Sequence, residues 1–325
     1  MKPSDSWVPL AESLLGPAAF TAVEVAREAG LEPAQVRQLW RALGFPPVAD
    51  DERIFTRSDV EIVRAVRTLI ELKSTNPDDL LQLTRVIGQS LSRVADAQVT
   101  AAADRLERLR SEAVSDETAV AELVGRIETL APSLEQFLGY VWRRHLLAAV
   151  RRRSATPSAS DSALTIGFAD LVGFTAMSQA LAPHELAEIV DRFEALAYEH
   201  IPERGGRVIK LIGDEVMFAV DDGAFAADIA VALVEACARD AVVPDVRAGL
   251  ACGPTLSWEG DLYGPTVNLA SRLVNIARPG TVLISEDLGA RLKHDPRFEL
   301  RHLRPVNLQG IGRVRSWVLR RARVA

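Results

Sequence analysis

Leu164-Thr165-Ile166-Gly167-Phe168-Ala169-Asp170-Leu171-Val172-Gly173-Phe174-Thr175 decides how the rest of this chain is read. β-Forming residues over 164–168 lead to Asp170, a carboxylate placed where the strand turns. Gly173 allows that turn to be tight, because glycine alone takes left-handed backbone angles at little cost. A second stretch of the same kind, Val208-Ile209-Lys210-Leu211-Ile212-Gly213-Asp214-Glu215, leaves Asp214 at another strand end. Carboxylates so placed suit hard divalent cations, and magnesium usually takes one or two of them together with substrate phosphates. A third stretch, Asp261-Leu262-Tyr263-Gly264-Pro265-Thr266-Val267-Asn268-Leu269-Ala270-Ser271-Arg272, sets an amide and a guanidinium four residues apart. On a helix that spacing puts Asn268 and Arg272 on one face. Two metal carboxylates with an Asn/Arg pair would form a phosphoryl-transfer site.

Around these stretches strand and helix patterns alternate. A strand over 164–168 is followed by an amphipathic helix marked by Leu186, Ile189, Val190, Phe193 and Ala197. Residues 207–211 and 215–220 read as a hairpin around Gly213-Asp214. Helix follows over 223–239, strand over 246–251, helix over 266–277 and strand over 281–284. This order predicts an α+β domain with a ferredoxin-like βαββαβ core over 163–325.

Upstream the pattern is almost wholly helical, so residues 1–153 read as an all-α domain. Val23, Val25, Ala26, Ala29, Val36, Leu39 and Leu43 recur at helical spacing, Gly30 interrupts them, and Pro33 suits the first turn of a second helix. Residues 20–60 resemble the helix-turn-helix of the MerR type, with Arg53-Ile54-Phe55-Thr56 in the place of its wing. The charge argues against a DNA partner: residues 1–60 hold six Lys/Arg against nine Asp/Glu, and the wing begins Asp50-Asp51-Glu52. Phosphate recognition needs the opposite sign. Further on, Leu106, Leu109, Val120, Leu123, Ile127, Leu130, Leu134, Phe137, Leu138 and Val141 supply apolar faces, which serve either as core or as a dimerising, signal-transmitting stalk. Arg151-Arg152-Arg153 read as the end of a helix, where cations oppose the negative pole of the dipole. The small, polar residues 154–162 read as a linker.

Composition is that of an ordinary globular protein, with 48% hydrophobic and 25% charged residues and a formal net charge of −6. Two cysteines make a disulfide framework improbable and fit a reducing compartment. The first residues lack a basic segment leading into an apolar core, and no apolar run reaches the ~18 residues of a membrane span. The expectation is a cytoplasmic protein without a transmembrane segment.

The three motifs together, Phe-x-Asp-x-x-Gly-Phe-Thr, Lys-x-x-Gly-Asp and Asp-x-x-Gly-x-x-x-Asn-x-Ala-Ser-Arg, resemble the catalytic domain of class III nucleotidyl cyclases over residues 163–321. The resemblance implies an adenylate cyclase that forms 3′,5′-cyclic AMP and pyrophosphate from ATP. It implies that Asp170 and Asp214 bind two magnesium or manganese ions per site. Backbone N–H groups around Gly173, Phe174 and Thr175 then face the triphosphate, with the Phe174 ring in the core. It further implies that Lys210 and Asp261 read adenine, that Asn268 orients the ribose, and that Arg272 meets the α-phosphate. In the family the carboxylates come from one subunit and the base and transition-state residues from the other, so a homodimer with two shared sites is expected. The diguanylate cyclase turn Gly-Gly-Asp-Glu-Phe is not matched by Ile212-Gly213-Asp214-Glu215-Val216. One departure stands out: where many family members have a late Lys-Gly-Lys-Gly turn, this chain has Gln309-Gly310-Ile311-Gly312, with Arg313 and Arg315 nearby as candidate substitutes. The helical domain is expected to regulate, with a small effector such as a proton or a lipid, and His145 is the place to look for such a switch. The rival reading is a catalytically weak, nucleotide-sensing transcription regulator.

Overall fold

The computed structural model describes residues 8–71, 76–112, 115–155 and 163–322. It divides into two compact units, one ending at Arg153 and the other beginning at Ser154. Each is taken by itself.

The first unit is all-helical: α1 (Val8–Leu15), α2 (Ala22–Ala29), α3 (Pro33–Ala42), α4 (Arg57–Glu71), α5 (Pro77–Glu112) and α6 (Asp116–Ala155). The start of α2 is fixed by a capping box. The Thr21 hydroxyl accepts from the Glu24 N–H at 3.2 Å, and the Glu24 carboxylate accepts from the Thr21 N–H at 2.9 Å, which satisfies two donors that a helix start leaves bare. Gly30, at φ 73°, ends α2 in the left-handed conformation that glycine favours, and Pro33 opens α3. Ala22, Val25, Ala26, Val36, Phe55 and Val60 form the small core beneath them. Phe20 and Phe55 pair as an antiparallel bridge, so the expected wing contributes one rung. Two of its charges are used internally. Asp50 holds Arg37 at 2.9 Å, and Arg53 reaches Glu24 at 2.8 Å.

Of the apolar faces expected on the long helices, Leu106, Leu109 and Leu123 are buried together with Ala119. Leu130 and Phe137, further along α6, are 63% and 59% exposed, and His145 on the same helix is also exposed. Helix α6 ends with Arg152 and Arg153 in its last turn and includes Ser154 and Ala155, two positions that the sequence reading gave to the linker. Residues 156–162 lie outside the described residues.

The second unit begins with β1 (Leu164–Leu171), α7 (Phe174–Ala180), α8 (Pro183–Glu203), β2 (Arg207–Ile212), β3 (Glu215–Val220), α9 (Gly223–Arg239) and β4 (Val246–Gly253). These strands lie in the order β2-β3-β1-β4, each antiparallel to its neighbours, which is the ferredoxin-like arrangement. The chain continues through β5 (Leu256–Trp258), β6 (Asp261–Tyr263), α10 (Pro265–Ile276), β7 (Val282–Ser285), α11 (Glu286–Leu292), β8 (Phe298–His302), β9 (Val306–Leu308), β10 (Gly312–Val314) and β11 (Ser316–Arg321). Strand β7 joins parallel to β4, and β11 and β8 extend the sheet to seven strands.

Strand residues alternate between faces, and here each face has its own core. Phe193, Phe218, Ile229, Leu233 and Leu250 pack on the α8–α9 side. Ile166, Phe168, Met217, Ala270 and Val274 pack on the α10 side. Helix α10 lies close against the sheet because residue 249 is glycine: a Cβ there would sit 2.3 Å from the Val274 nitrogen and 2.6 Å from the Ala270 carbonyl oxygen. Among the described residues no helix is long and apolar enough to cross a membrane, and Cys237 and Cys252 are buried and unpaired.

Candidate active site

Strand register builds the site. Asp170 pairs with Glu215 of β3 on one side and with Arg247 of β4 on the other. Position 170 has the parity of Ile166 and Phe168, 215 that of Met217, and 247 that of Ala251, so all three side chains stand in a row on the α10 face. The turn after β2 is drawn onto the end of β1, where the Leu171 N–H donates to the Asp214 carbonyl at 3.1 Å. Asp214 thereby joins the row.

These residues line one cavity of about 300 Å³, together with Leu171, Gly173, Phe174, Thr175, Ile212 and Asn275. The cavity wall is mostly polar. Gly173, at φ 79°, caps α7, and the first helical bonds run from Ala176 and Met177 to its carbonyl. Phe174 touches the cavity while also packing against the α8–α9 core, so its ring is chiefly structural.

The electrostatics of this row are unbalanced. Burial, with the nearby Asp170 charge adding to it, pushes the Asp214 carboxyl above its ordinary value. Burial, then Asp170 and Asp214, push Glu215 up to about 7. Arg247 is the cation in the row: its Nε and Nη2 reach Asp170 Oδ2 at 2.8 and 2.6 Å, and its Nη1 donates to the Asn275 carbonyl at 3.1 Å. Three carboxylates against one guanidinium leave room for further positive charge. Among the described residues no three His, Cys, Asp or Glu side chains form a cage for a metal ion. Two carboxylates beside an open polar cavity nevertheless fit magnesium or manganese, which take part of their coordination from water and phosphate.

The other expected residues lie outside this cavity. Lys210 of β2 donates from Nζ to Asp261 Oδ2 of β6, and Asp261 Oδ1 accepts from the Leu262 N–H at 2.8 Å. Asn268 and Arg272 stand exposed on α10, and neither side chain has a hydrogen-bond or ion-pair partner among the described residues. None of these four lines the carboxylate cavity. Of the expected lysine places in the late turn, Gln309 and Ile311 sit at the tip of the β9–β10 hairpin, exposed, around a left-handed Gly310.

Sequence reasoning gave no role to Arg247, Glu215 or Asn275. The signal for Arg247 was present, because it is the one charged residue in the apolar strand Val246-Arg247-Ala248-Gly249-Leu250-Ala251-Cys252-Gly253.

Residues 156–321 match the adenylate and guanylate cyclase catalytic domain. The chain belongs to the adenylate and guanylate cyclase family. Residues 9–148 of this cyclase match the adenylate cyclase regulatory domain. It is 33% identical over 317 residues to an adenylate cyclase of Glutamicibacter nicotianae, covering 92% of this chain and 78% of that one. It is 37% identical over 268 residues to an adenylate cyclase of Streptomyces coelicolor, covering 82% and 69%. A pH-sensitive adenylate cyclase of Mycobacterium tuberculosis is 31% identical over 311 residues, covering 93% and 78%. Among solved structures, the adenylyl cyclase CyaB from P. aeruginosa aligns with 51% of the cyclase and 98% of its own chain, at 22% identity and a TM-score of 0.45.

Proposed function

We propose that this cyclase converts ATP to 3′,5′-cyclic AMP and pyrophosphate at sites shared between two copies of the chain. The observation that carries the choice of ATP is the Lys210–Asp261 pair. Two residues 51 positions apart are brought into direct contact, where a lysine donor and a carboxylate acceptor complement the ring nitrogen and exocyclic amine of adenine. Guanine offers a carbonyl and a protonated ring nitrogen in those places and meets the wrong partners.

In the reaction the ribose 3′-oxygen forms a bond to the α-phosphorus and gives up its proton, while the α–β bridging bond breaks and pyrophosphate leaves. Magnesium or manganese ions held by Asp170 and Asp214, when bound, acidify the 3′-hydroxyl and neutralise the phosphates. The protein's own part is positioning and charge. Asn268 orients the ribose, and the planar fork of Arg272 takes up charge growing on the α-phosphate. The separation of Asp170 and Asp214 from Lys210, Asp261, Asn268 and Arg272 supports a site completed by a second copy. The helical unit is the regulator in this reading, and the effector is a proton or a lipid sensed near His145.

The test is cyclic AMP formation from ATP with manganese or magnesium by the full chain. Activity is expected, with loss of about 10²–10³-fold or more in Asp170→Ala and Asp214→Ala. The absence of lysines at Gln309 and Ile311 favours one second reading, a nucleotide sensor. ATP binding and dimerisation with no product would put that reading first.

A further inference from the structure

We propose that the last third of α6, residues 137–153, lies on an anionic membrane surface as an interfacial helix and holds the cyclase there without spanning the bilayer. The inference is independent of the reaction proposed above.

Three observations carry it. The first is an exposed apolar row. Leu138, Trp142, Leu146 and Val150 recur every fourth residue of α6, which sets them along one side of the helix over about 18 Å. Trp142 is 63% and Val150 53% exposed. Leu146 is exposed as well, and so are Phe137 and Tyr140 nearby. Nearer the start of the same helix the apolar face is covered, with Ala119 and Leu123 buried against α5. The second observation is charge. Residues 136–153 hold Arg143, Arg144, Arg151, Arg152 and Arg153 without one Asp or Glu, in a chain whose formal net charge is −6. Elsewhere on the long helices arginines are neutralised from the adjacent turn, Arg110 by Glu107 and Arg126 by Glu122. Here no carboxylate stands three or four residues from any of the five arginines. The third observation is how the two features are arranged. With about 3.6 residues per turn, Arg143 flanks the apolar row on one side and Arg152 on the other, each roughly a quarter turn away, and Arg153 closes it.

That is the make-up of a helix that lies in a membrane interface. Its Trp and Leu side chains enter the boundary between headgroups and acyl chains, and its arginines attract anionic lipid. Arginine stems lie along the apolar surface while the guanidinium groups rise to the lipid phosphates. Trp142 and Tyr140 suit headgroup level, where one part of the ring meets hydrocarbon and the other water. A second copy of the chain fits this face less well. Two such stretches side by side bring like charges together with no carboxylate to pair them, and like charges facing each other oppose association.

Cosedimentation of the full chain with lipid vesicles tests the proposal. At about 0.1 M salt, vesicles of equal parts phosphatidylglycerol and phosphatidylcholine are expected to bind the chain roughly tenfold or more tightly than phosphatidylcholine alone. Raising the salt to about 1 M should remove most of that preference. An arginine close to an anionic surface contributes roughly fivefold to binding, so Arg143→Gln/Arg152→Gln should bind roughly 10–30-fold more weakly. Trp142→Gln/Leu146→Gln, which keeps the charge, should lose binding to both vesicle types. All four positions are exposed and glutamine is a good helix former, so both variants should keep the helical content of wild type. Equal binding to the two vesicle types, binding to neither, or unchanged binding by Arg143→Gln/Arg152→Gln overturns the proposal. Sedimentation velocity then identifies the occupant: if Trp142→Gln/Leu146→Gln turns dimer into monomer, the face belongs to a second copy.

Discussion

Lys210 and Asp261 form an ion pair within one chain, linking β2 of the central sheet to the small β5–β6 hairpin. The pair uses one of the three lysine donors and leaves the others for a ligand. Reversing its lysine end tests what it reads. Lys210→Glu places two carboxylates together and removes the donor for an adenine ring nitrogen. A hydrogen bond to a charged group is worth about 1.5–3 kcal/mol, so kcat/KM for ATP should fall roughly 10–100-fold while that for GTP falls less or rises. Parallel losses for both nucleotides would show that the pair only holds the hairpin.

Sharing of the site predicts complementation. Asp170→Ala and Arg272→Ala chains should each be inactive alone, because every dimer of either lacks one member of both sites. Mixed, they form heterodimers in which one site is damaged twice and the other is intact. About half of wild-type activity per heterodimer is then expected. Silence in a mixture shown to contain heterodimers would refute shared sites.

Glu215 gives a pH signature. Its folded-state carboxyl is raised to about 7 from an ordinary 4.5, first by burial and then by Asp170 and Asp214. Below the unfolded value both states hold the proton, and nothing is lost. As pH rises towards 7 the unfolded chain releases the proton before the folded one, so stability falls. Glu215→Gln removes that penalty. In metal-free buffer its Tm should exceed that of wild type at pH 8, and the gap should narrow by pH 5 and close below the unfolded value. An equal gap at both pH values would mean that the side chain ionises normally in the fold.

The hairpin carrying Gln309 and Ile311 can be given lysines. Both residues are exposed at its tip, so the double change Gln309→Lys/Ile311→Lys should leave folding intact. If this turn meets the terminal phosphates, KM for ATP should fall roughly 3–10-fold with little change in kcat, the mark of added uniform binding. An unchanged KM would place the hairpin away from the nucleotide.

Gly249→Ala should damage fold and site together. The added methyl meets backbone atoms of Ala270 and Val274, which cannot rotate away as a side chain could. Overpacking costs about 1–3 kcal/mol, a Tm loss of about 3–10 °C for a unit of this size. Because α10 carries Asn268 and Arg272, activity should fall further than stability alone explains. Thermal denaturation and turnover measured on one preparation separate the two effects.

Much of this was readable from sequence, and the physical reasons differ from element to element. Strands β1 to β4 and helices α8, α9 and α10 announce themselves by apolar periodicity, because each buries a face. Strands β8 to β11 do not. They are three to six residues long, lie near or beyond the far edge of the sheet, and carry Arg301, Arg313 and Arg320 among their apolar positions. Asp170 and Asp214 were legible because both stand at a turn in a recurring local pattern. Arg247 was not, because its importance lies in register: only the pairing of β1 with β4 puts it opposite Asp170. The exposed stretch of α6 marks another limit, since a helical stripe of leucines reads the same whether or not anything covers it.

The absence of Lys210, Asp261, Asn268 and Arg272 from the carboxylate cavity has a consequence for output in a cell. If two copies must meet to complete a site, specific activity becomes a function of dilution. Well below the dissociation constant, the population of paired chains grows with the square of total chain. Doubling expression there yields up to fourfold more product, and halving it loses the same factor. Abundance itself then steepens the response, before any effector binds.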